Sequence, residues 1–353
     1  MRVNQWVPAA HKGDAIGDSA RRVRGLLRGM GHDSELYALT IDEELRGDVR
    51  PFSDASARSG DVTIFHYALP SPMSAAFASL PAGRVLQYHN VTPARFFAPY
   101  DPALFRLASL AREELAALAE ATDLGLGDSE YNRRELDDLG FEKTGVMPIA
   151  VDTARLTAAP PHPVLDEVLD DRLVNFLFVG RIAPNKKIED HIKLAEQYKR
   201  YIDAYYRFIF VGRYDVVPRY YAAIRALMDE YQLLPERFIF TGPVPDAELA
   251  AYYRASSVYI SLSEHEGFCV PLVEAMAMDV PVLAYSAAAV PDTLGGAGVQ
   301  FAPKDLEYAA ELLGMLAFED GPREDVLAGQ RQRLNDFSDA VVERRLASLI
   351  SVF

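Results

Sequence analysis

The sequence predicts an α/β protein of two doubly wound domains, each a mostly parallel sheet with helices on both faces. Short apolar runs alternate with longer amphipathic ones along the chain, the pattern of βα units feeding a parallel sheet. Three similar strand ends, Asn175-Phe176-Leu177-Phe178-Val179-Gly180-Arg181, Arg207-Phe208-Ile209-Phe210-Val211-Gly212-Arg213 and Arg237-Phe238-Ile239-Phe240-Thr241-Gly242, succeed one another about one βα unit apart. Between the halves lies Thr157-Ala158-Ala159-Pro160-Pro161-His162-Pro163, whose prolines exclude helix and discourage strand, so it reads as a linker.

In the first half the expected strands are residues 2–7, 34–38, 61–67, 84–88, 124–126 and 144–148. In the second they are residues 175–181, 207–213, 237–242, 258–262, 280–285 and 299–301. At 353 residues the chain is long for a single core. The expected division is residues 1–158, residues 164–320, and terminal helices over residues 321–353. Two such domains would face each other across a cleft lined by the carboxyl ends of both sheets, where ligands of these sheets bind.

Composition removes several classes of function. Half the residues are hydrophobic and a quarter charged, as in a soluble globular protein. The N-terminus lacks a long apolar run, and no stretch approaches eighteen uninterrupted apolar residues, so neither a signal peptide nor a membrane span is expected. A lone cysteine, Cys269, excludes an internal disulfide and a cysteine-based zinc site and agrees with a reducing, cytoplasmic setting. The formal net charge of −15 argues against nucleic acid as a partner. The seven histidines show no metal-ligand spacing, so no metal and no cofactor are expected.

The most informative stretch is Glu266-Gly267-Phe268-Cys269-Val270-Pro271-Leu272-Val273-Glu274. It follows an apolar strand, and Pro271 suits the first helical position, which would put Glu274 in the first turn. The amides of Phe268, Cys269, Val270 and Leu272 would then point at one spot beside the positive end of the helix dipole, with Gly267 allowing close backbone approach. Such a spot suits a diphosphate, with Glu266 accepting from sugar hydroxyls and Glu274 from a ribose diol. The alternative is a solvated loop charge and a carboxylate complementing a helix start. Cys269 is either a reactive thiol on the diphosphate turn or a buried, inert one.

A second group, Gly180-Arg181-Ile182-Ala183-Pro184-Asn185-Lys186-Lys187, follows a strand. A guanidinium and an ammonium across a Pro-Asn turn can reach one anion, or both can face solvent. A third, Gly13-Asp14-Ala15-Ile16-Gly17-Asp18, follows the first strand and admits a phosphate or sugar without being the G-x-G-x-x-G fingerprint, which weakens a nicotinamide reading. Asp18 is the expected helix N-cap, and Asp14 could meet acceptor hydroxyls. His89 ends a strand, and His66, at another strand end, reads as structural. Arg21, Arg22, Arg24 and Arg28 share one helix. They could meet an acceptor phosphate or weakly touch an anionic membrane, but read more simply as a solvated face.

Ser263-Glu264-His265-Glu266-Gly267-Phe268, Pro271-Leu272-Val273-Glu274-Ala275-Met276-Ala277 and Pro281-Val282-Leu283-Ala284 together closely resemble the signature of family four retaining glycosyltransferases, which have the GT-B fold. The resemblance spans nearly the whole chain and is most specific over residues 175–300. It implies transfer of a sugar from a nucleotide diphosphate sugar, UDP- or GDP-linked, to a glycan, lipid-linked or small-molecule hydroxyl acceptor. Arg181 and Lys186 then bind the donor diphosphate and stabilise it as it leaves. Glu266 and His89 meet the donor sugar, the loop of Gly13 and Gly17 faces the donor, and the terminal helices cross back onto the first domain. The enzyme would act in the cytoplasm or at the inner face of the membrane, in polysaccharide or glycoconjugate synthesis. Lys187 departs from the family's usual glycine, and Arg213 stands where relatives often carry a glycine-rich turn. A nucleotide-sugar epimerase of related fold and a non-catalytic sugar-nucleotide-binding protein remain as alternatives.

Overall fold

The computed structural model describes residues 1–81 and 83–353. They form two units: Met1–Arg95, Ala103–Asp152 and Asn335–Phe353 make the first, Phe96–Pro102 and Thr153–Leu334 the second. Among the described residues no helix is long and apolar enough to cross a membrane.

The first unit carries β1 (Val3–Ala10), β2 (Leu36–Ile41), β3 (Arg50–Pro51), β4 (Val62–Tyr67), β5 (Arg84–Tyr88), β6 (Leu124–Gly127) and β7 (Thr144–Val146). They form one sheet in the order β3-β2-β1-β4-β5-β6-β7, every pair parallel. All six residues of β4 are buried, as expected of a central strand covered on both faces. The two-residue edge strand β3 was not expected, because Arg50 and Pro51 are exposed and carry no apolar pattern. Strand order reverses between β1 and β4, where such sheets open a crevice.

The helix Ala15–Gly29 is capped by Asp14, whose carboxylate accepts from the Gly17 amide at 3.1 Å. Asp18, expected as the cap, sits in the first turn instead and pairs with Arg21 at 2.5 Å. The helix lays Val23 and Leu27 on a core built from Val3, Val62, Ile64, Val85, Leu124 and Leu126. The same core takes Val342, Leu346 and Leu349 of the terminal helix Asp339–Ile350, spaced i, i+4, i+7 on one face.

The second unit carries β8 (Val174–Val179), β9 (Tyr206–Val211), β10 (Phe238–Gly242), β11 (Val258–Ser261), β12 (Val282–Tyr285) and β13 (Val299–Phe301). This sheet is also all parallel, in the order β10-β9-β8-β11-β12-β13, and reverses between β8 and β11. The three similar strand ends become neighbours in register: Phe178 faces Phe210, and Phe210 faces Phe240 with rings stacked 4.7 Å apart. Their repeated phenylalanines thus form one aromatic ladder along a sheet face.

Because Leu346 is fully buried in the core of the first unit, Leu346→Ala should destabilise the protein by about 2–5 kcal/mol in urea or guanidinium unfolding. A change near zero would mean that the terminal helix is not docked.

Candidate functional site

At the reversal point of the second unit, the loops leaving β8 and β11 run side by side. The β8 loop passes Gly180 and Arg181 and closes in a turn, Pro184–Lys186. Asn185 stitches it to its neighbour: its Nδ2 donates to the His265 carbonyl at 3.0 Å and its own carbonyl accepts from the Glu264 amide at 2.9 Å. Lys186 then delivers its ammonium to both carboxylate oxygens of Glu266, each at 2.6 Å, with the two side chains 17% and 7% exposed. Gly212, at the end of β9, allows this packing, since a Cβ there would lie 2.3 Å from the Gly180 carbonyl.

Lys187 adopts the left-handed conformation, φ 53°, that favours glycine. Its ammonium bonds Glu189 at 2.9 Å and lies 3.8 Å from Glu264, so it belongs to the site's charge grid. Lys304, after β13, was not anticipated. It bonds Asp190 and Glu264 at 3.0 Å each and the Leu262 carbonyl at 2.9 Å, while lying 4.4 Å from the centre of the Tyr285 ring. A lone lysine far along the sequence carries no motif that would have revealed it. Against these paired cations Arg181 is exposed, with no hydrogen bond or ion pair of its own among the described residues.

The turn Gly267-Phe268-Cys269 leads into the helix Val270–Ala277. The helix begins at Val270, one residue before the expected Pro271, because Cys269 turns the chain at φ 70°. Glu274 is therefore its fifth residue, in the second turn rather than the first. The Leu272 amide, expected to point at an anion, donates to the Cys269 carbonyl at 3.0 Å. Glu274 is buried, with Arg155 donating to Oε1 and Tyr253 to Oε2 at 3.0 Å. Burial raises its carboxyl above the usual range, while Arg155 and Tyr253 pull it back. Arg155 also pairs with Asp246. Lying 119 residues from Glu274, it gave no local signal.

In the first unit, Gly13 lies at φ +75° with open space around a would-be Cβ, whereas Gly17 is an ordinary helical residue in contact with Asp14. The His89 side chain is 1% exposed and both its ring nitrogens are engaged, Nε2 with His66 Nδ1 and Nδ1 with Asp128 Oδ2, each at 2.8 Å. His66 Nε2 in turn faces Gln5 Oε1 at 3.0 Å, and Gln5 Nε2 donates to the Ala20 carbonyl. Burial holds His66 well below its ordinary pKa, so it is neutral, donates through Nε2 and accepts at Nδ1. A sugar hydroxyl could reach a His89 nitrogen only by displacing His66 or Asp128. The helix arginines are likewise engaged: Arg21 with Asp18, Arg22 with Asp152 and Asp339, Arg24 with Asp48 and Arg28 with Glu35. Their pairing with acidic residues departs from the simple solvated face expected of them.

Cys269 is buried, and burial pushes its thiol well above the usual range. The reactive-thiol expectation therefore gives way to the inert one. An aromatic disulfide reagent near neutral pH should titrate this thiol only after denaturation, at a rate indifferent to added nucleotide. Rapid native labelling would contradict the packing of this turn.

Residues 174–317, most of the second unit, match the family model described as Glycosyl transferases group 1. The chain is 30% identical over 131 residues to the serotype-specific mannosyltransferase WbdA of Escherichia coli, a match covering 37% of this chain and 16% of that protein. It is 33% identical over 147 residues to a GDP-mannose-dependent alpha-mannosyltransferase of Mycolicibacterium smegmatis, covering 41% of this chain and 32% of that one. This chain thus spans well under two thirds of either relative's length. Anabaena Alr3699/HepE, solved in complex with UDP and glucose, superposes over the whole of both chains with a TM-score of 0.75 at 16% identity, which speaks to the fold alone. The chain has the GT-B fold, two parallel-sheet α/β domains of seven and six strands, and its second unit matches the model of the group 1 glycosyl transferases.

Proposed function

We propose that the chain is a retaining glycosyltransferase that moves a hexose from a UDP- or GDP-linked donor to a hydroxyl acceptor in polysaccharide or glycoconjugate synthesis. One observation carries the reading: Arg181, Lys186, Glu266 and the turn before Val270 gather at the carboxyl ends of β8 and β11, the reversal point of a group 1 glycosyl transferase domain. The mannosyltransferase names of the relatives favour a mannose donor.

In this reading the donor diphosphate meets Arg181, which is exposed, and shares Lys186 with Glu266. As the bond to the anomeric carbon breaks, negative charge grows on the diphosphate, and two fixed cations stabilise that state more than the ground state. Glu266, held by Lys186, accepts from hydroxyls of the donor sugar, and Glu274 accepts from the ribose. Charge neutralisation by these side chains makes the reaction independent of a metal, so a chelator leaves the rate unchanged. His89 enters this scheme only if its chain with His66 and Asp128 opens.

The test begins with thermal shifts across UDP-, GDP- and ADP-sugars, since a ligand that binds only the folded state raises apparent stability. The stabilising donor is then offered with candidate glycan acceptors. Arg181→Ala should lower turnover by roughly a hundredfold, the scale of losing a preorganised donor to a developing anion, without loss of stability. Lys186→Ala should lower both, because it strands Glu266 without its partner. Conversion of the donor with no acceptor present would favour an epimerase. Wild-type turnover in Arg181→Ala would remove the leaving-group role.

A further inference from the structure

We propose that Arg155 and Tyr253 are positioning residues that aim the Glu274 carboxylate at a vicinal diol and set the preference of this site for a ribonucleotide over a 2′-deoxyribonucleotide. The inference rests on the reading of Glu274 as the ribose acceptor given above and assigns two residues that the motif does not contain.

Glu274 lies on the helix Val270–Ala277 with its side chain 4% exposed. A carboxylate so deep needs a donor for each oxygen, and it has them: the Arg155 guanidinium on Oε1 and the Tyr253 hydroxyl on Oε2 at 3.0 Å. Each carboxylate oxygen accepts two hydrogen bonds, so each keeps capacity for one more. A cis-diol offers two donors at the spacing of two carboxylate oxygens. The two protein donors come from different elements, Arg155 from the helical turn Ala154–Thr157 and Tyr253 from the helix Asp246–Arg254, and so fix the carboxylate plane from two sides. Arg155 is itself anchored, because its other nitrogen pairs with Asp246. At 28% exposure it is the outermost member of the cluster after Asp246 and the one a nucleoside would meet with Glu274.

Charge matters as much as aim. Burial pushes the Glu274 carboxyl up, Asp246 pushes it further, and Arg155 and Tyr253 oppose them. The other titratable groups in this cluster are Tyr259 of β11 and Cys269, whose own pKa values are raised well above normal by burial, so both are neutral. Without Arg155 the carboxyl would take a proton more readily and lose acceptor capacity. A carboxyl raised in this way accepts well only above its raised pKa, so the defect is deepest at low pH and shrinks as pH rises.

The experiment measures calorimetric affinity of the full chain for UDP, GDP and their 2′-deoxy forms, for wild type, Arg155→Met and Tyr253→Phe, at about pH 6 and about pH 8.5. Wild type should prefer the ribonucleotide by about tenfold or more, the scale of a hydrogen bond to a charged acceptor. Arg155→Met should weaken ribonucleotide binding and collapse the ribo-to-deoxyribo ratio towards unity at the lower pH, with partial recovery at the higher. Tyr253→Phe, which keeps the packing of the ring, should also reduce the ratio, more at the lower pH than at the higher, because the Tyr253 hydroxyl too holds the Glu274 carboxyl down. A merely structural role would lower stability or affinity while leaving the ratio at its wild-type value, and that result overturns the proposal. Tighter binding by Arg155→Met would also overturn it, by showing that the guanidinium competes with the ribose. If wild type itself shows no preference, Glu274 is not the ribose acceptor, and that reading and this inference fall together. A preference kept in wild type and in both variants leaves the reading standing and removes the inference alone.

Discussion

The hydrogen-bonded ion pair between Lys186 and Glu266 is the contact on which the second unit's site depends. Two loops that leave β8 and β11 in the same direction would otherwise be free to splay, since strand pairing ends below them. Asn185 joins their backbones, and Lys186 places its charge on both Glu266 oxygens at 2.6 Å. Removing charges from water is costly, and the pair persists because each finds the other in good geometry. The result is a preformed arrangement in which the groups proposed to meet a donor are held by one another.

The same logic recurs around it. Glu264 is met by Lys304 and lies near Lys187, Asp190 by Lys304 and Lys193, and Glu274 by Arg155 and Tyr253. Glu264, Asp190 and Glu274 are each matched by a donor from a different element, so these segments are cross-linked by charge-assisted hydrogen bonds. Arg181 stands outside this grid and supplies the exposed positive charge. In the first unit the comparable device is uncharged at His66 and runs from Gln5, within β1, through His66 near the end of β4 and His89 just after β5 to Asp128 just after β6.

Much of this was legible in the sequence. The strands are short apolar runs of Val, Ile, Phe and Tyr, and the repeated Phe-Ile-Phe pattern marked three neighbours that lie in register. The acidic pair and the basic turn carry local spacing, so Glu266, Glu274, Arg181 and Lys186 could be named from one window each. What could not be read were partnerships between distant residues. Arg155 and Lys304 sit in unremarkable contexts and acquire meaning only when the fold carries them to Glu274 and Glu264. Local conformation also misled: the left-handed Cys269 started its helix early and moved Glu274 into the second turn, and Asp14 took the cap expected of Asp18. The arginine helix looked solvated because its partners Asp48, Asp152 and Asp339 lie up to some three hundred residues away.

In the proposed function the second unit holds a nucleoside diphosphate at the reversal point of its sheet. The most direct measurement is a crystal structure of the chain with bound UDP or GDP. The diphosphate should lie at the carboxyl ends of β8 and β11, within hydrogen-bond distance of Arg181 and Lys186, with the ribose hydroxyls on Glu274. A nucleotide bound elsewhere on the unit, with Glu274 still closed off by Arg155 and Tyr253 alone and no phosphate oxygen near Arg181, would contradict it.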